Sequence, residues 1–300
     1  MRHWQLFTNS FGKMLHPVLW VYGLVVVLGS SNLGVFFLFN DQTLRNLSQA
    51  ATPQAILTSL TPLFAILIIL GVIGFVFATF GGAALMHLIN QLEMRERVTV
   101  GMGLDGGEKI FQLLVVRMLL ILPNLLVAIL AVALVWGQVS RIDLTSPANP
   151  LSALFGGFCG FLLIAFLVNL LTSALSVGAE RAIVIEKMPV GKALGLSWQL
   201  LATQLGDFIM IGLIFLGLSF LVGVLFSCVG QPLLALMFST ASPSAMLTGS
   251  LLSNPIVLLS IAVGLIGNML TTILGTSVWT LAYRQWRSDR LPAPPRDDFE

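Results

Sequence analysis

Charge is what this sequence has least of. Only 9% of its 300 residues are Asp, Glu, Lys or Arg, where soluble proteins carry about 25%. No repeated polar face is left to wet a globule of this size, so a soluble domain is excluded. Cysteine is nearly absent too. Cys159 and Cys228 both lie inside apolar runs far apart in sequence, which excludes a disulfide framework and reads as two buried thiols. The three histidines, His3, His16 and His87, have no partner at zinc-ligand spacing, and no phosphate loop, dinucleotide fingerprint or nucleophile elbow is present. The glycine-rich Gly101–Gly107 follows a charged stretch, not a strand, and reads as a hinge. The chain is therefore expected not to be an enzyme, and to use no cofactor and no metal.

What is abundant is apolar sequence. The chain is 57% hydrophobic with mean hydropathy +0.96, and several runs exceed the roughly 20 residues that cross a bilayer as a helix. These runs are apolar throughout, whereas the strands of a membrane barrel alternate in character. The expected class is an all-α polytopic membrane helix bundle. Its spans are Pro17–Phe39, Leu60–Leu88, Ile110–Gly137, Leu151–Gly178, Phe208–Gly230 and Pro255–Tyr283. The first run also has the basic start, short core and small residues of a signal peptide. Apolar sequence resumes at once with Leu33–Phe39, which favours a span. Asp41–Ser59 reads as a loop with a short surface helix, and Gln231–Asn254 as a surface-lying or re-entrant segment. A single membrane domain covers residues 1–286, and the charged, proline-rich residues 287–300 form a disordered tail.

Basic residues decide the orientation. Under six spans, twelve Lys and Arg fall on one side, and only Arg45 and Arg141 on the other. Arg117, just inside the third span, is expected to snorkel to the headgroups. Positive charge marks the cytoplasmic side, so both termini are expected there, in a multi-pass protein of the cell membrane. Trp4 begins WQLFTNSFG, Trp198 begins WQLLATQLG, and Phe111 begins a weaker copy, FQLLVVRM. The expected plan is three units, at about 1–90, 100–179 and 188–284. Each is a cytoplasmic-side surface helix followed by a two-span hairpin.

Ala179–Asp207 is the informative stretch. At helical period, Val190, Leu194, Trp198, Leu201 and Leu205 share one stripe, with Lys192, Gln199 and Thr203 opposite. Gly191, Gly195 and Ala202 line an edge that another helix can approach closely. The segment reads as an amphipathic helix lying at the membrane surface. Trp4 and Trp198 are the expected anchors of the two surface helices, each with its ring packed on the hairpin that follows. Glu180, Arg181, Glu186 and Lys187 form the candidate site. Two readings stand for them: an ion-pair cluster anchoring the surface helix, or a contact to a lipid headgroup or solute. Asn169, Asn268 and Thr271–Thr272, deep in spans, are expected to hydrogen-bond between helices.

Arg181–Leu201, RAIVIEKMPVGKALGLSWQLL, resembles bacterial membrane-protein families related to the membrane domain of some glycerophosphodiester phosphodiesterases. An apolar run ends in Glu186, and after a short turn Ala193-Leu194, Ser197-Trp198 and Leu200 take the places of that pattern. Tyr283-Arg284 is similar to its final Tyr-Arg. The resemblance implies a fold and not an activity, because the phosphodiesterase barrel, with its metal-binding carboxylates and histidines, has no counterpart here. The function expected is a non-enzymatic integral membrane protein that organises membrane lipids or scaffolds a protein partner. The alternative is a small transporter or its membrane subunit. The partners are membrane lipids and not nucleic acid.

The topology is testable with single cysteines in a background lacking Cys159 and Cys228. Asn46, Ser146 and Ser244 should label from outside with an impermeant maleimide, and Ser10, Thr99 and Ser288 only after lysis. Labelling of position 99 in intact cells defeats the six-span arrangement.

Overall fold

The structure, a computed structural model, describes residues 2–30, 53–94, 98–139, 150–240 and 255–290. All regular structure among them is helical. In chain order the helices are α1 (Arg2–Met14), α2 (Pro17–Ser30), α3 (Pro53–Met94), α4 (Val100–Asp105), α5 (Ile110–Val139), α6 (Pro150–Glu186), α7 (Val190–Thr203), α8 (Leu205–Thr240) and α9 (Pro255–Arg290). A single 3-10 turn, Gly106–Lys109, joins α4 to α5. Proline opens α2, α3, α6 and α9. It fits the first helical position, where its missing N–H would have no partner in any case.

Five helices are long and apolar enough to cross a membrane, or six when α1 and α2, bent by 95°, are taken as one broken span. The protein is thus an integral membrane protein of the helical class. Its helices outrun the spans read from sequence. α3 has 42 residues, about 63 Å at 1.5 Å per residue, twice the ~30 Å hydrocarbon core. Residues 53–59, expected as loop, are its first turns. Residues 231–240, expected as surface-lying or re-entrant, continue α8 through Pro232. The last helix runs through Arg290, so residues 287–290 are helical and not tail. The expected surface helix at Leu44–Ala51, and residues 241–254 and 291–300, lie outside the described residues.

The chain forms two compact units: Met1–Ile110 with Ile209–Glu300, and Phe111–Phe208. In the first unit, α2 lies against α3 and α9, and α1 lies on α9. Glycine allows the close approach. A Cβ on Gly29 would sit 2.6 Å from the Gly74 carbonyl oxygen and the Ala78 nitrogen. Leu19, Tyr22, Leu85, Leu88, Ile89 and Ile273 fill the core between these helices. The corner between α1 and α2 is pinned by the Trp20 indole N–H, which donates to the Met14 carbonyl at 3.0 Å.

The glycine-rich segment is a packing wedge and not a hinge. A Cβ on Gly103 would collide with the Tyr22 ring, one on Gly106 would lie 2.9 Å from the Ala83 carbonyl oxygen, and one on Gly107 would lie 2.5 Å from the Phe80 ring. The Tyr22 hydroxyl donates to the Val100 carbonyl at 2.8 Å and locks the wedge in place. Gly106 and Ile110 keep right-handed helical angles, so the backbone stays helical from the turn into the first residue of α5. The middle copy, FQLLVVRM, therefore lies in the first turns of a long helix and not on a surface helix of its own.

In the second unit α7 lies along α6. The α6 helix ends at Lys187, whose φ of 54° is left-handed, and Pro189 starts α7 in extended conformation. The two helices touch at Gly178, where a Cβ would be 2.5 Å from Ser197 Oγ. That hydroxyl donates to the Leu175 carbonyl at 2.6 Å. The buried face of α7 is Ala193, Ser197, Leu200 and Leu201, about a quarter-turn from the stripe read in the sequence. Gly191 and Gly195 meet nothing within 4 Å.

The wedge yields a matched pair of variants. Gly103→Ala drives a methyl into Tyr22 and should cost about 1–3 kcal/mol, as overpacking does. Gly101→Ala, with nothing within 4 Å, should be neutral or stabilising by about 0.5 kcal/mol, since alanine suits a helix better than glycine. Thermal melts in detergent decide; equal midpoints for the two variants would disprove the wedge.

Candidate functional site

The candidate residues sit at the charged end of α6. Glu180 reaches across to α5 and takes a two-pronged bond from Arg117, Nε to Oε1 at 2.7 Å and Nη2 to Oε2 at 3.0 Å. Arg117 thus turns inward to a carboxylate instead of snorkelling. Arg181 is 5% exposed, and its Nη1 donates to the Val177 carbonyl one turn back at 2.8 Å. Glu186 ends the helix, and Lys187 is the exposed left-handed residue after it. An arginine fork on a carboxylate is among the strongest polar contacts a protein makes, and removed from water it has few competitors.

About two turns further into the same hairpin, the Asn124 amide donates to Thr172 Oγ1 at 3.0 Å. Thr172 is buried and donates to its own helix at Val168. Ser173 donates to the Asn169 side chain at 3.3 Å, and Thr271 to the Gly267 and Asn268 carbonyls. Of the deep polar groups, Asn124 and Thr172 join two helices, and the others named here bond within their own.

The expected aromatic anchors face outward. Trp4 is 68% exposed and Trp198 57%, so neither ring is buried. The burial register of α1 and α7 is nevertheless shared. Three residues after each tryptophan, Phe7 and Leu201 are buried, and six residues after, so are Ser10 and Gln204. Ser10 is thereby unsuited to the labelling experiment, while Thr99 and Ser288 are exposed. Cys228 is exposed as well, against its expected burial.

A second charged group, in the first unit, escaped the sequence reading. Lys13 of α1 forms an ion pair with Glu93 at the end of α3. Arg284 of α9 donates to the Asn90 carbonyl of α3 at 3.5 Å. Burial, and after it the Arg284 guanidinium, push the Lys13 ammonium down to about 8, while the Glu93 carboxylate opposes the shift. Lys13 is therefore charged at neutral pH. The signal that could have found this group is that Lys13, Glu93 and Arg284 all lie where an apolar run gives way to charged residues.

Other concavities are shallow. The hollow along α8 between Phe220 and Pro232, and another along α5 at Ala128–Ala133, are each lined by one helix and are apolar. Among the described residues no group of His, Cys, Asp or Glu is placed to hold a metal ion. In comparison with known proteins, the chain matches no protein family, no curated protein and no solved structure.

The Arg117–Glu180 pair can be tested by a double-mutant cycle. Glu180→Gln strands a buried guanidinium and should cost about 3–5 kcal/mol, whereas the apolar pair Arg117→Met with Glu180→Leu should restore most of the loss. Additive losses would show that the two side chains do not depend on each other.

Proposed function

We propose that this protein is a non-enzymatic component of the bacterial cytoplasmic membrane that organises the lipids around it. The observation that carries this reading is how the deep polar side chains are used. Arg117 with Glu180 and Asn124 with Thr172 link the two helices of one hairpin, which is a structural use and not the lining of a transport route. Large apolar surfaces face outward. Leu163, Phe166 and Leu170 on α6, and Leu216, Phe220 and Leu225 on α8, are all exposed and suit contact with acyl chains. The short helices add an interfacial element. In α1 and α7 an exposed tryptophan stands beside exposed polar residues, Gln5 and Gln199, a pattern suited to the headgroup boundary.

The orientation with both termini cytoplasmic belongs to this proposal and rests on the basic residues. So does the three-unit plan. Each short helix lies on the long helix that ends the unit before it: α4 on α3, α7 on α6, and, closing the cycle, α1 on α9. The resemblance of Arg181–Leu201 to the phosphodiesterase-associated membrane families agrees with such a plan.

The test is the composition of the lipid shell. Protein taken from membranes with a styrene–maleic acid polymer should carry lipids whose proportions differ from the bulk by about twofold or more, a preference of some 0.4 kcal/mol. A shell identical to the bulk, together with solute flux in proteoliposomes that stops in Asn124→Ala, would overturn the reading in favour of transport.

A further inference from the structure

Arg117 and Arg284 occupy comparable places, each near the charged end of a long helix, and are treated differently. The first holds Glu180 through two short bonds. The second is half-buried, and its one hydrogen bond among the described residues is the 3.5 Å contact to the Asn90 carbonyl. A guanidinium carries five N–H donors and stays charged at any ordinary pH. Beside Arg284 stands another cation, Lys13, whose ammonium is lowered in basicity by burial and then by that guanidinium. Glu93 is the one carboxylate in contact with the group among the described residues, and it lies on Lys13. Among the described residues, two cations thus stand against one anion where α1, α3 and α9 meet.

Neighbouring atoms are unfilled as well. Asn90 is 8% exposed, and its amide oxygen is buried without a hydrogen bond among the described residues, as is Nδ1 of His16. Buried polar atoms seldom stay unbonded. Turned about its axis, the amide of Asn90 would present a donor there instead of its oxygen. Arg284 thus has unused donors beside Lys13, whose one acceptor among the described residues is Glu93.

We propose that Lys13 and Arg284, with Asn90 beside them, bind a phosphate group. Several acceptor oxygens around one centre suit the fork of an arginine and the point charge of a lysine together. The group lies at the charged end of the helix bearing Arg284, where the headgroups of the adjoining leaflet carry their phosphates. A lipid headgroup is therefore one source and free phosphate the other. Glu93 competes with the ligand for Lys13 and sets its affinity. The inference rests on the lipid-organising reading only for the choice of the lipid source.

The test uses the full chain in discs of phosphatidylcholine containing a minority of phosphatidylglycerol. Lipid retained on the protein is counted by native mass spectrometry, and thermal shifts with inorganic phosphate are measured in detergent. Arg284→Gln should weaken retention of phosphatidylglycerol about tenfold or more, as loss of a charge-assisted contact does. Lys192→Gln, which removes an exposed charge on α7, should leave it unchanged. Glu93→Gln should move the other way and tighten binding, because it frees Lys13. This third variant keeps the test decisive if Arg284→Gln does not fold. Retention unaffected by both Arg284→Gln and Glu93→Gln overturns the site. If the lipid shell stays selective in those same variants, the lipid-organising reading survives and the site alone fails. Stabilisation of wild type by inorganic phosphate that Arg284→Gln abolishes, with no lipid retained, supports the site with free phosphate as its ligand and removes the lipid source. Neither phosphate stabilisation nor retention in wild type sinks the site outright.

Discussion

Inside a bilayer an apolar helix gains little by exchanging lipid for another apolar helix, because acyl chains are as oily as leucine. That constraint explains where this protein is packed and where it is not. Within each candidate span only a small share of the most apolar window is buried, 6% for Leu205–Cys228 and 28% for Leu258–Ser288. The buried residues gather instead at the charged ends: Ala83–Leu88 of α3, Ala179–Val184 of α6 and Val278–Trp286 of α9. There the alternative to protein contact is water, and the hydrophobic effect acts in full. The short helices lie on those same stretches and bury them.

Where spans do meet in the first unit, they meet through glycine. Gly29 and Gly74 bring the backbones of α2 and α3 together, while Gly267 and Gly275 of α9 receive Phe226 and Phe215 of α8. Removing a side chain from one partner lets dispersion act over a longer line of contact. In the second unit the same end is served by polar bridges, Arg117 to Glu180 and Asn124 to Thr172. The bridges carry more orientation than the glycine contacts, since each has one geometry that satisfies it.

The spans were legible in the sequence because transfer into hydrocarbon depends on composition alone. Their ends were not. A helix leaving the membrane keeps its hydrogen bonds in water, so polar residues 53–59, 179–186 and 284–290 continue it where hydropathy stops. The buried faces of α1 and α7 were misread for a related reason. A helix at an interface is apolar toward lipid and toward protein alike, and period cannot separate the two faces. In α7 the protein side is marked by the small residues Ala193 and Ser197, and the lipid side by Trp198. The partner of Arg117 was not legible from spacing, since Arg117 lies 22 residues before the end of α5 and Glu180 lies 30 residues after the start of α6.

The two charged groups show how lysine and arginine differ when a protein leaves a charge unbalanced. Lys13, crowded by Arg284 and buried, has its proton affinity lowered to about 8. A lysine so placed gives up its proton more readily, against the pull of the Glu93 ion pair. Arg284 has no such escape, since its guanidinium stays protonated at any pH the fold would survive. Water can meet part of the demand of a half-buried group, but water carries no charge. Among the described residues no carboxylate contacts Arg284, whose one hydrogen bond there is to the Asn90 carbonyl. In the second unit Glu180 has already answered that demand from within the chain.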